Sequence, residues 1–460
     1  MHDKQICVLS DINDRLPPEA RQILDGMLPT GEKVSAEAAA AAYASMFAWL
    51  RDQRSWVFPS QPTCHCIVHE GMCPVFPQGS DAGQRSCTMP SQQKLRVNVA
   101  GTTCIGWSQA GKGLHFADPS ERPHAIWATE RLRRAELERE DVFFSECTPR
   151  YPVKEKLGFL DETHELLSVK LDPMMLGWPV RRTRLFTVGL NKRTMAWLGP
   201  DQDDVAADFL RFYGVDLKLT ADVFLVATDD EVAEAKSTMA ARRGFSGSSN
   251  QQLKLHEIYA PGHLLRYQDY DKYFAECVKS GQISGKSFFA DLDQNLGRGA
   301  STPGEVLPSC LTHWTIHAWS AARMVLNQEV YLAHGFNLYP EATGWPVPCS
   351  MRDVLKSLAN SSQKQLVGNG WHLPALAAFM FYVLAHTVRL DRNASIEPEK
   401  TLLRRGGSDF SGLGSTPSRL SVSSLDGSGS DLLMGLQSSQ ETAVDDDEDS
   451  QKTLILGCFR

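Results

Sequence analysis

Apolar and polar positions in the first half of the chain predict strands that alternate with a helix. A short β-branched run at 97–100 ends in a glycine-punctuated turn, and a second apolar run at 141–146 ends in a carboxylate. Between these runs, residues 127–139 combine helix-forming residues with charges of both signs, which is typical of a helix with one face in solvent. The separation of the runs suits one strand–helix–strand crossover, and further strands are predicted at 164–171 and 184–190.

Two more helices are predicted outside this region. The alanine-rich segment 35–56 is expected to be helical, with Ser35 as its candidate N-cap. The segment 373–388 is strongly apolar but too short to cross a membrane. We therefore expect a buried helix there, following a Gly-Asn-Gly turn.

Cys104 is the best candidate nucleophile in this pattern. It follows the first predicted strand, and the carboxyl ends of strands in open α/β sheets border the crevice where ligands bind. A partly exposed thiol at that place can react as a thiolate. The alternative is a small buried hydrophobic residue, which is the ordinary role of a free cysteine. Glu146 ends the neighbouring predicted strand, so both side chains are expected on one rim of the sheet.

The order of these segments resembles that of the motifs in the cytosine-5 DNA methyltransferase family. Residues 101–112 resemble the family's catalytic loop, Gly-Pro-Pro-Cys-Gln-Gly-Phe-Ser followed by Ala-Gly, and residues 144–148 resemble the strand that ends in Glu-Asn-Val. Residues 178–189 resemble Pro-Gln-x-Arg-x-Arg leading into a strand. Shorter likenesses fit the same order at 118–119, 311–313, 329–336 and 365–371.

The resemblance implies a reaction and a role for each matching residue. Cys104 would add to carbon-6 of cytosine and so make carbon-5 nucleophilic. Glu146 would hydrogen-bond ring nitrogen 3 and the exocyclic amine, while Arg182 and Arg184 would supply fixed cations near the ring carbonyl and the flanking phosphate. Because carbon-5 cannot be reached inside a duplex, the target base would be flipped out.

The resemblance also implies S-adenosyl-L-methionine as the methyl donor, with Asp11, Trp107, Gly368 and Asn369 as cofactor-binding residues. Segment 5–11 would be the third strand of the family's sheet; the alternative is a plain strand followed by an Asn-Asp turn. Nothing in the sequence resembles the family's first strand and its Phe-x-Gly-x-Gly loop. The fold is therefore expected to be incomplete at its N-terminus.

Five positions depart from the family's pattern. Thr102 and Thr103 replace two prolines that would stiffen the loop, and Ile105, Cys147 and Val180 replace polar amide side chains. A catalytically inactive relative that binds nucleic acid is therefore one alternative. An RNA cytosine-5 methyltransferase is another, because thiolate addition to cytosine does not depend on the sugar.

Thiols and imidazoles cluster at 64–73, in the order Cys64, Cys66, His69 and Cys73. These ligand types suit zinc, but the spacing is tighter than in the usual zinc fingers and knuckles. An irregular loop with incidental thiols is therefore favoured over a structural zinc site, and no metal site is predicted.

Composition limits the partners and the compartment. A net charge of -8 gives no general support for nucleic-acid binding, so contacts with DNA would depend on basic clusters at 131–134, 181–184 and 242–243. Ordinary exposed charges are the alternative interpretation of these clusters. Eleven scattered cysteines, with no signal peptide and no 18-residue apolar run, favour a soluble protein of a reducing compartment without membrane contact. We expect the nucleus, with the cytoplasm as the alternative.

Together these observations predict an α/β, Rossmann-like S-adenosylmethionine-dependent methyltransferase fold. Its expected activity is methyl transfer to carbon-5 of a flipped cytosine in DNA through a Cys104 adduct. The predicted parts are a catalytic domain at 1–30 and 90–192, a helical insertion with the Cys-His cluster at 31–89, a target-recognition region at 193–308, the rest of the catalytic domain at 309–391, and a disordered acidic tail rich in serine and glycine at 392–460.

Overall fold

The structure is a computed structural model, and it describes residues 8–9, 11–29, 34–75, 95–102, 105–108, 111–245, 254–297, 302–344 and 347–390. Its helices are α1 (Pro18–Met27), α2 (Ala36–Asp52), α3 (Arg54–Val57), α4 (Glu121–Glu136), α5 (Val153–Leu157), α6 (Gln202–Tyr213), α7 (Asp229–Arg242), α8 (Pro261–Lys279), α9 (Asn327–Ala333), α10 (Pro340–Thr343), α11 (Arg352–Ser357), α12 (Asn360–Asn369) and α13 (Leu373–Ala385). Its strands are β1 (Thr63–Cys66), β2 (Gly71–Pro74), β3 (Val97–Gly101), β4 (Val142–Cys147), β5 (His164–Leu171), β6 (Arg184–Asn191), β7 (Met195–Trp197), β8 (Phe289–Asp291), β9 (Ile316–Ala318), β10 (Arg323–Met324) and β11 (Thr387–Arg389).

A four-stranded mixed sheet in the order β3-β4-β6-β5 carries two of the predicted site residues, Glu146 on β4 and Arg184 on β6. β3 and β4 are parallel, whereas β6 is antiparallel to both of its neighbours. Because α4 lies between β3 and β4 in the sequence, the parallel pair confirms the expected strand–helix–strand crossover. Every side chain of β4 is buried, which explains why its sequence is a nearly continuous apolar run. The mixed α/β fold class is confirmed.

The crossover helix α4 begins at Glu121 rather than at residue 127. Pro123 falls in the first turn of the helix, where a missing N–H is tolerated, so it does not prevent this earlier start. The Asp118 carboxylate accepts a hydrogen bond from the amide of Ser120 at 2.9 Å and so shapes the entry into the helix.

Several charges of α4 are buried, among them Glu130, Arg131 and Arg134, so the expected solvent face is reduced to partly exposed residues such as Arg133 and Glu136. Glu130 and Arg131 are buried and paired, and Arg131 also pairs with the buried Glu140. Arg15 also pairs with Glu130, since its Nη1 lies 3.0 Å from Oε2 of Glu130. Burial raises the pKa of the Glu140 carboxyl to about 7, although Arg131 opposes the shift. The helix is covered because α2 and the turn Ile12–Arg15 pack over it.

Apolar packing fixes the sheet against the C-terminal part of the chain. One cluster joins the sheet to α6 and α13 and includes Val188, Phe209 and Phe379. The helix α13 is thus the buried helix that the apolar segment 373–388 predicts, although it ends at Ala385, and the next residues form β11 against β7. A second cluster of buried apolar residues, which includes Trp314, packs α9 against the ends of α11 and α12.

The N-terminal segment does not extend the sheet where the structure describes it. Val8 and Leu9 lie against β1, with a bridge from Leu9 to Cys66 and a hydrogen bond from the Ile67 amide to the Val8 carbonyl. Among the described residues, β3 pairs with β4 on one edge and with no strand on its other edge. The expected third strand is therefore not seen at Val8 and Leu9, and residues 1–7 and 10 lie outside the described part. The predicted N-cap is confirmed: Ser35 Oγ accepts from the amide of Ala38 at 3.2 Å.

The segment with the clustered thiols is a regular antiparallel hairpin, β1–β2, and not an irregular loop. Residue 308 is the expected end of the target-recognition region. β8 lies before this residue and β9 lies after it, and the two strands pair with each other. The domain boundaries stay a prediction, and the expected tail at 392–460 lies outside the described residues. No helix in the described ranges is both long and apolar enough to cross a membrane.

Candidate functional site

The ends of β3 and β4 bring the predicted acid beside the start of the predicted catalytic loop. Gly101 is the register partner of Glu146 in the parallel pair, and the Glu146 side chain is buried. The sulfur of the next residue, Cys147, lies 4.0 Å from the carbonyl oxygen of Thr102. Cys104 itself lies outside the described residues, so its place beside Glu146 remains a prediction.

Arg184 is the direct partner of this acid. Its Nε lies 2.8 Å from Oε1 of Glu146, and only 19% of the arginine side chain and 9% of the glutamate side chain are exposed. The Arg184 guanidinium also donates from Nη1 to the carbonyl oxygen of Thr183 at 2.9 Å. The contact is an ion pair and not a hydrogen bond, because Oε1 of Glu146 has no hydrogen-bond donor among the described residues. It places a fixed positive charge beside the carboxylate.

The connection between β5 and β6 is closed by Asp172, which sequence reasoning did not select. Its Oδ2 accepts from the Thr183 hydroxyl at 2.5 Å, and its Oδ1 accepts from the Met174 amide at 3.1 Å. The residue caps the short helical turn Pro173–Met175. An Asp directly before Pro is a recognisable capping signal, so the sequence could have indicated it.

Arg182 has different partners from Arg184. Its buried guanidinium donates to three backbone carbonyls, those of Cys310 at 3.4 Å, Gly368 at 3.0 Å and Gly370. The side chain thus ties the β5–β6 connection to the end of α12. In the described residues Arg182 is a positioning residue rather than an open cation for a phosphate.

Two histidines near Arg182 are kept neutral. Burial and, to a smaller extent, the Arg182 charge together lower the pKa of His372 to about 3. Burial likewise holds the pKa of His334 well below its usual range, again with help from Arg182. His372 Nδ1 accepts from the Ala375 amide at 3.2 Å and so caps α13. The positive charge of this region therefore comes from its arginines.

The turn between α12 and α13 lies directly against the site. A Cβ on Gly101 would come within 2.9 Å of the indole Nε1 of Trp371, so this strand end needs a glycine. A Cβ on Gly368 would overlap the carbonyl oxygen of Leu311. Two distant segments of the sequence, near 311 and 368–371, therefore close over the strand ends. Trp371 belongs to a predicted motif but was not predicted as a site residue.

The four predicted cofactor residues fit S-adenosylmethionine unequally. Asp11 is exposed, and its Oδ1 accepts from the Asn13 amide at 2.8 Å, which is the Asn-Asp turn of the alternative interpretation. Its Oδ2 makes no hydrogen bond with a described residue. Trp107 stacks on His115 with ring centroids 4.6 Å apart, and its buried indole N–H has no partner in the described ranges. A carboxylate suits ribose hydroxyls and an indole suits an adenine ring, so these two fit the group.

Gly368 and Asn369 fit the cofactor less well. Both end α12, and the α-carbon of Gly368 is covered by the backbone of Leu311 and Thr312. Gly368 is required there for close packing, whatever ligand the site takes.

The basic clusters that were expected to contact DNA differ in exposure. Arg131 and Arg134 are buried in the ion pairs of α4, so that cluster cannot contact DNA as expected. Arg181 and Arg184 are half-buried, whereas Arg242 and Arg243 at the end of α7 are exposed. Only the last pair keeps the open charge that the expectation needs.

Fold and site together define an α/β protein whose adjacent strand ends carry a buried carboxylate paired with arginine. No protein-family model matches the sequence, and no curated protein matches it. Among solved structures, the chain is similar to a DNMT2 mutant of Spodoptera frugiperda at 12% identity and a TM-score of 0.31, covering 63% of this chain and 79% of that chain.

Two further structures show the same degree of likeness. The methyltransferase EhMeth of Entamoeba histolytica is 14% identical at a TM-score of 0.32, with 63% of this chain and 77% of that chain covered. The Dnmt2 methyltransferase of S. pombe is 11% identical at a TM-score of 0.31, with the same coverage of 63% and 77%. Likeness at this level carries no argument about function, which has to be argued from the side chains.

Proposed function

We propose that this chain is an S-adenosylmethionine-dependent cytosine-5 methyltransferase that acts on nucleic acid. The observation that carries the proposal is the Glu146–Arg184 pair, in which Nε and Oε1 are 2.8 Å apart. Glu146 lies on β4, directly beside the end of β3. The motif that contains Cys104 begins at that strand end. An oriented carboxyl group beside a thiol is what recognition and activation of cytosine require.

In this reaction the Cys104 thiolate forms a bond to carbon-6 of the base, and the ring electrons move toward carbon-5. Glu146 takes up a proton from water as the base binds and donates it to nitrogen 3, while its other oxygen accepts from the exocyclic amine, so the charge that thiolate addition moves into the ring is balanced. Arg184 orients that carboxyl group. The bound cofactor supplies the methyl group for carbon-5. Loss of the carbon-5 proton and cleavage of the carbon–sulfur bond then restore the aromatic ring and the free thiolate.

Cofactor binding is assigned to Asp11 and Trp107. The exposed Asp11 carboxylate keeps one oxygen for ribose hydroxyls, and Trp107 presents an aromatic ring and an indole N–H. Gly368 and Asn369 contribute by closing the turn beside the strand ends, where Gly368 meets the backbone of Leu311.

DNA is the proposed substrate, because the motif resemblance is to the DNA-modifying family. Arg242 and Arg243 are exposed at the end of α7 and are proposed to contact phosphates. RNA carries the same phosphates and the same base, so the test has to compare the two polymers directly.

The test uses the full chain with labelled S-adenosylmethionine and a duplex that contains 5-fluorocytosine, which traps the covalent adduct because fluorine cannot leave as a proton does. We expect a stable protein–DNA adduct that Cys104→Ser abolishes. The matched control is Cys349→Ser, since Cys349 is a half-buried thiol outside the strand-end site, and it should retain the adduct. Absence of both adduct and cofactor binding would leave an inactive nucleic-acid-binding relative. Faster methylation of RNA than of DNA would assign the substrate to RNA.

A further inference from the structure

The β1–β2 hairpin buries sulfur and exposes its apolar side chains. Cys64 and Cys66 are fully buried, whereas Ile67 is 59% exposed and Met72 is 64% exposed. None of the hairpin's residues belongs to the apolar clusters of the described part of the chain. A two-stranded hairpin without an apolar core is marginally stable in water, so another interaction has to hold it.

Three ligand atoms converge on one side of this hairpin. His69 Nδ1 lies 3.4 Å from the sulfur of Cys66 and 3.3 Å from the sulfur of Cys73, and the three atoms all lie within 4.8 Å of one another. Zinc bonds to sulfur and nitrogen in a tetrahedral site imply a nitrogen–sulfur separation of about 3.5 Å. The arrangement therefore has the size of a metal site.

Cys64 is placed to supply a fourth ligand. It is the register partner of Cys73 across the hairpin, and it lies two residues before Cys66, so all three cysteines are on one face. Directly opposed residues of an antiparallel pair have Cβ atoms roughly 5 Å apart. The Cys64 sulfur is not within the 4.8 Å group formed by the other three ligand atoms, so its part in the site rests on its register and its face of the hairpin.

We propose that the hairpin is a structural zinc site with Cys64, Cys66, His69 and Cys73 as its four ligands. Three thiolates and one imidazole form a soft donor set that selects zinc over magnesium or calcium. With four protein ligands the ion has no open position, so its role is structural. The site also fastens the N-terminal segment, because Leu9 and Val8 pair with Cys66 and Ile67.

The experiment measures metal content of the full chain purified under reducing conditions, by mass spectrometry of the elements. We expect one zinc per chain, and cobalt exchanged for zinc should give the visible absorption of a tetrahedral cobalt–thiolate centre. Cys66→Ser, His69→Gln and Cys73→Ser should each lose the zinc. The matched control is His65→Gln, because His65 lies on β1 but on the exposed face, and it should keep the zinc.

Three outcomes would overturn zinc binding by the hairpin. The first is a reduced wild-type chain without zinc, and the second is zinc that survives all three ligand substitutions. The third is a disulfide between Cys64 and Cys73 under the same reducing conditions. If Cys64→Ser keeps a full zinc complement and an unchanged cobalt spectrum, the four-ligand assignment is wrong. The zinc content and cobalt spectrum of the wild-type chain test metal binding by themselves, so that test stands even where a variant fails to fold.

Discussion

Arg184 and Glu146 form a diagonal pair on one face of the sheet. Glu146 is opposite Phe186 in the antiparallel register of β4 and β6, and Arg184 lies two residues from Phe186 along the strand. Diagonal neighbours of this kind are within reach of long side chains, and here Nε and Oε1 are 2.8 Å apart. The register thus joins two residues that lie 38 positions apart in the sequence.

Removal of the negative charge at Glu146 tests this pair in the proposed reaction. For Glu146→Gln we expect adduct formation with 5-fluorocytosine to slow by roughly a hundredfold or more, because the oriented carboxyl group is lost at the ring edge. Single-turnover trapping measures the rate, and thermal unfolding shows whether the fold is kept. Glu155→Gln, at an exposed position of α5, is the control and should react at the wild-type rate. Equal rates for both variants would contradict the role of Glu146.

Arg182 should matter more for stability than for chemistry. Arg182→Ala leaves the carbonyls of Cys310, Gly368 and Gly370 without their donor in a buried region. We expect a loss of about 2–4 kcal/mol in the free energy of unfolding, measured by urea denaturation. Arg150→Ala removes an exposed arginine and should change that free energy by less than about 0.5 kcal/mol. A similar small change in both variants would show that the three contacts stabilise nothing.

Gly368 is predicted to be a packing position. Gly368→Ala places a methyl group against the Leu311 carbonyl and should destabilise the protein by about 1–3 kcal/mol. Gly26→Ala, on the exposed side of α1 with open space around it, should instead stabilise the protein by about 0.5–1 kcal/mol. The two substitutions should change the free energy of unfolding in opposite directions in the same assay. A stabilising Gly368→Ala would refute the close contact.

His164 predicts a loss of stability in acid. Burial lowers its pKa from 6.5 to about 3, and the charges of Arg131 and Lys192 act in the same direction. Between these two values the unfolded chain binds a proton that the folded chain does not, so stability falls as the pH drops from about 6.5 toward 3. His164→Phe removes this contribution. Below pH 6 the unfolding free energy of the variant should fall less steeply than that of the wild type, by about 1.4 kcal/mol per pH unit. Parallel curves would contradict the prediction.

The strands of the sheet could be predicted from the sequence because their signal is local. Buried strands are short apolar runs, and the predicted runs at 97–100, 141–146, 164–171 and 184–190 agree to within one residue at each end with β3, β4, β5 and β6. Glu146 could be selected for the same reason, since it ends one of these runs, whereas Arg184 was a candidate only through the resemblance of residues 178–189 to a family motif. The α4 charges could not be placed in this way, because their burial depends on α2 and on Arg15, which are distant in the sequence.

The sequence by itself determined the strands of the four-stranded sheet, the helices α2 and α13, the order of the candidate motifs, and the chemistry that the residue types Cys, Glu and Arg can perform. Only the tertiary structure decided which of those residues meet. It paired Arg184 with Glu146, turned Arg182 toward the backbone of Gly368 and Gly370, and gathered Cys66, His69 and Cys73 in a hairpin. The physical reason is that side-chain contacts depend on strand register and on the packing of distant segments, and no local pattern encodes either one.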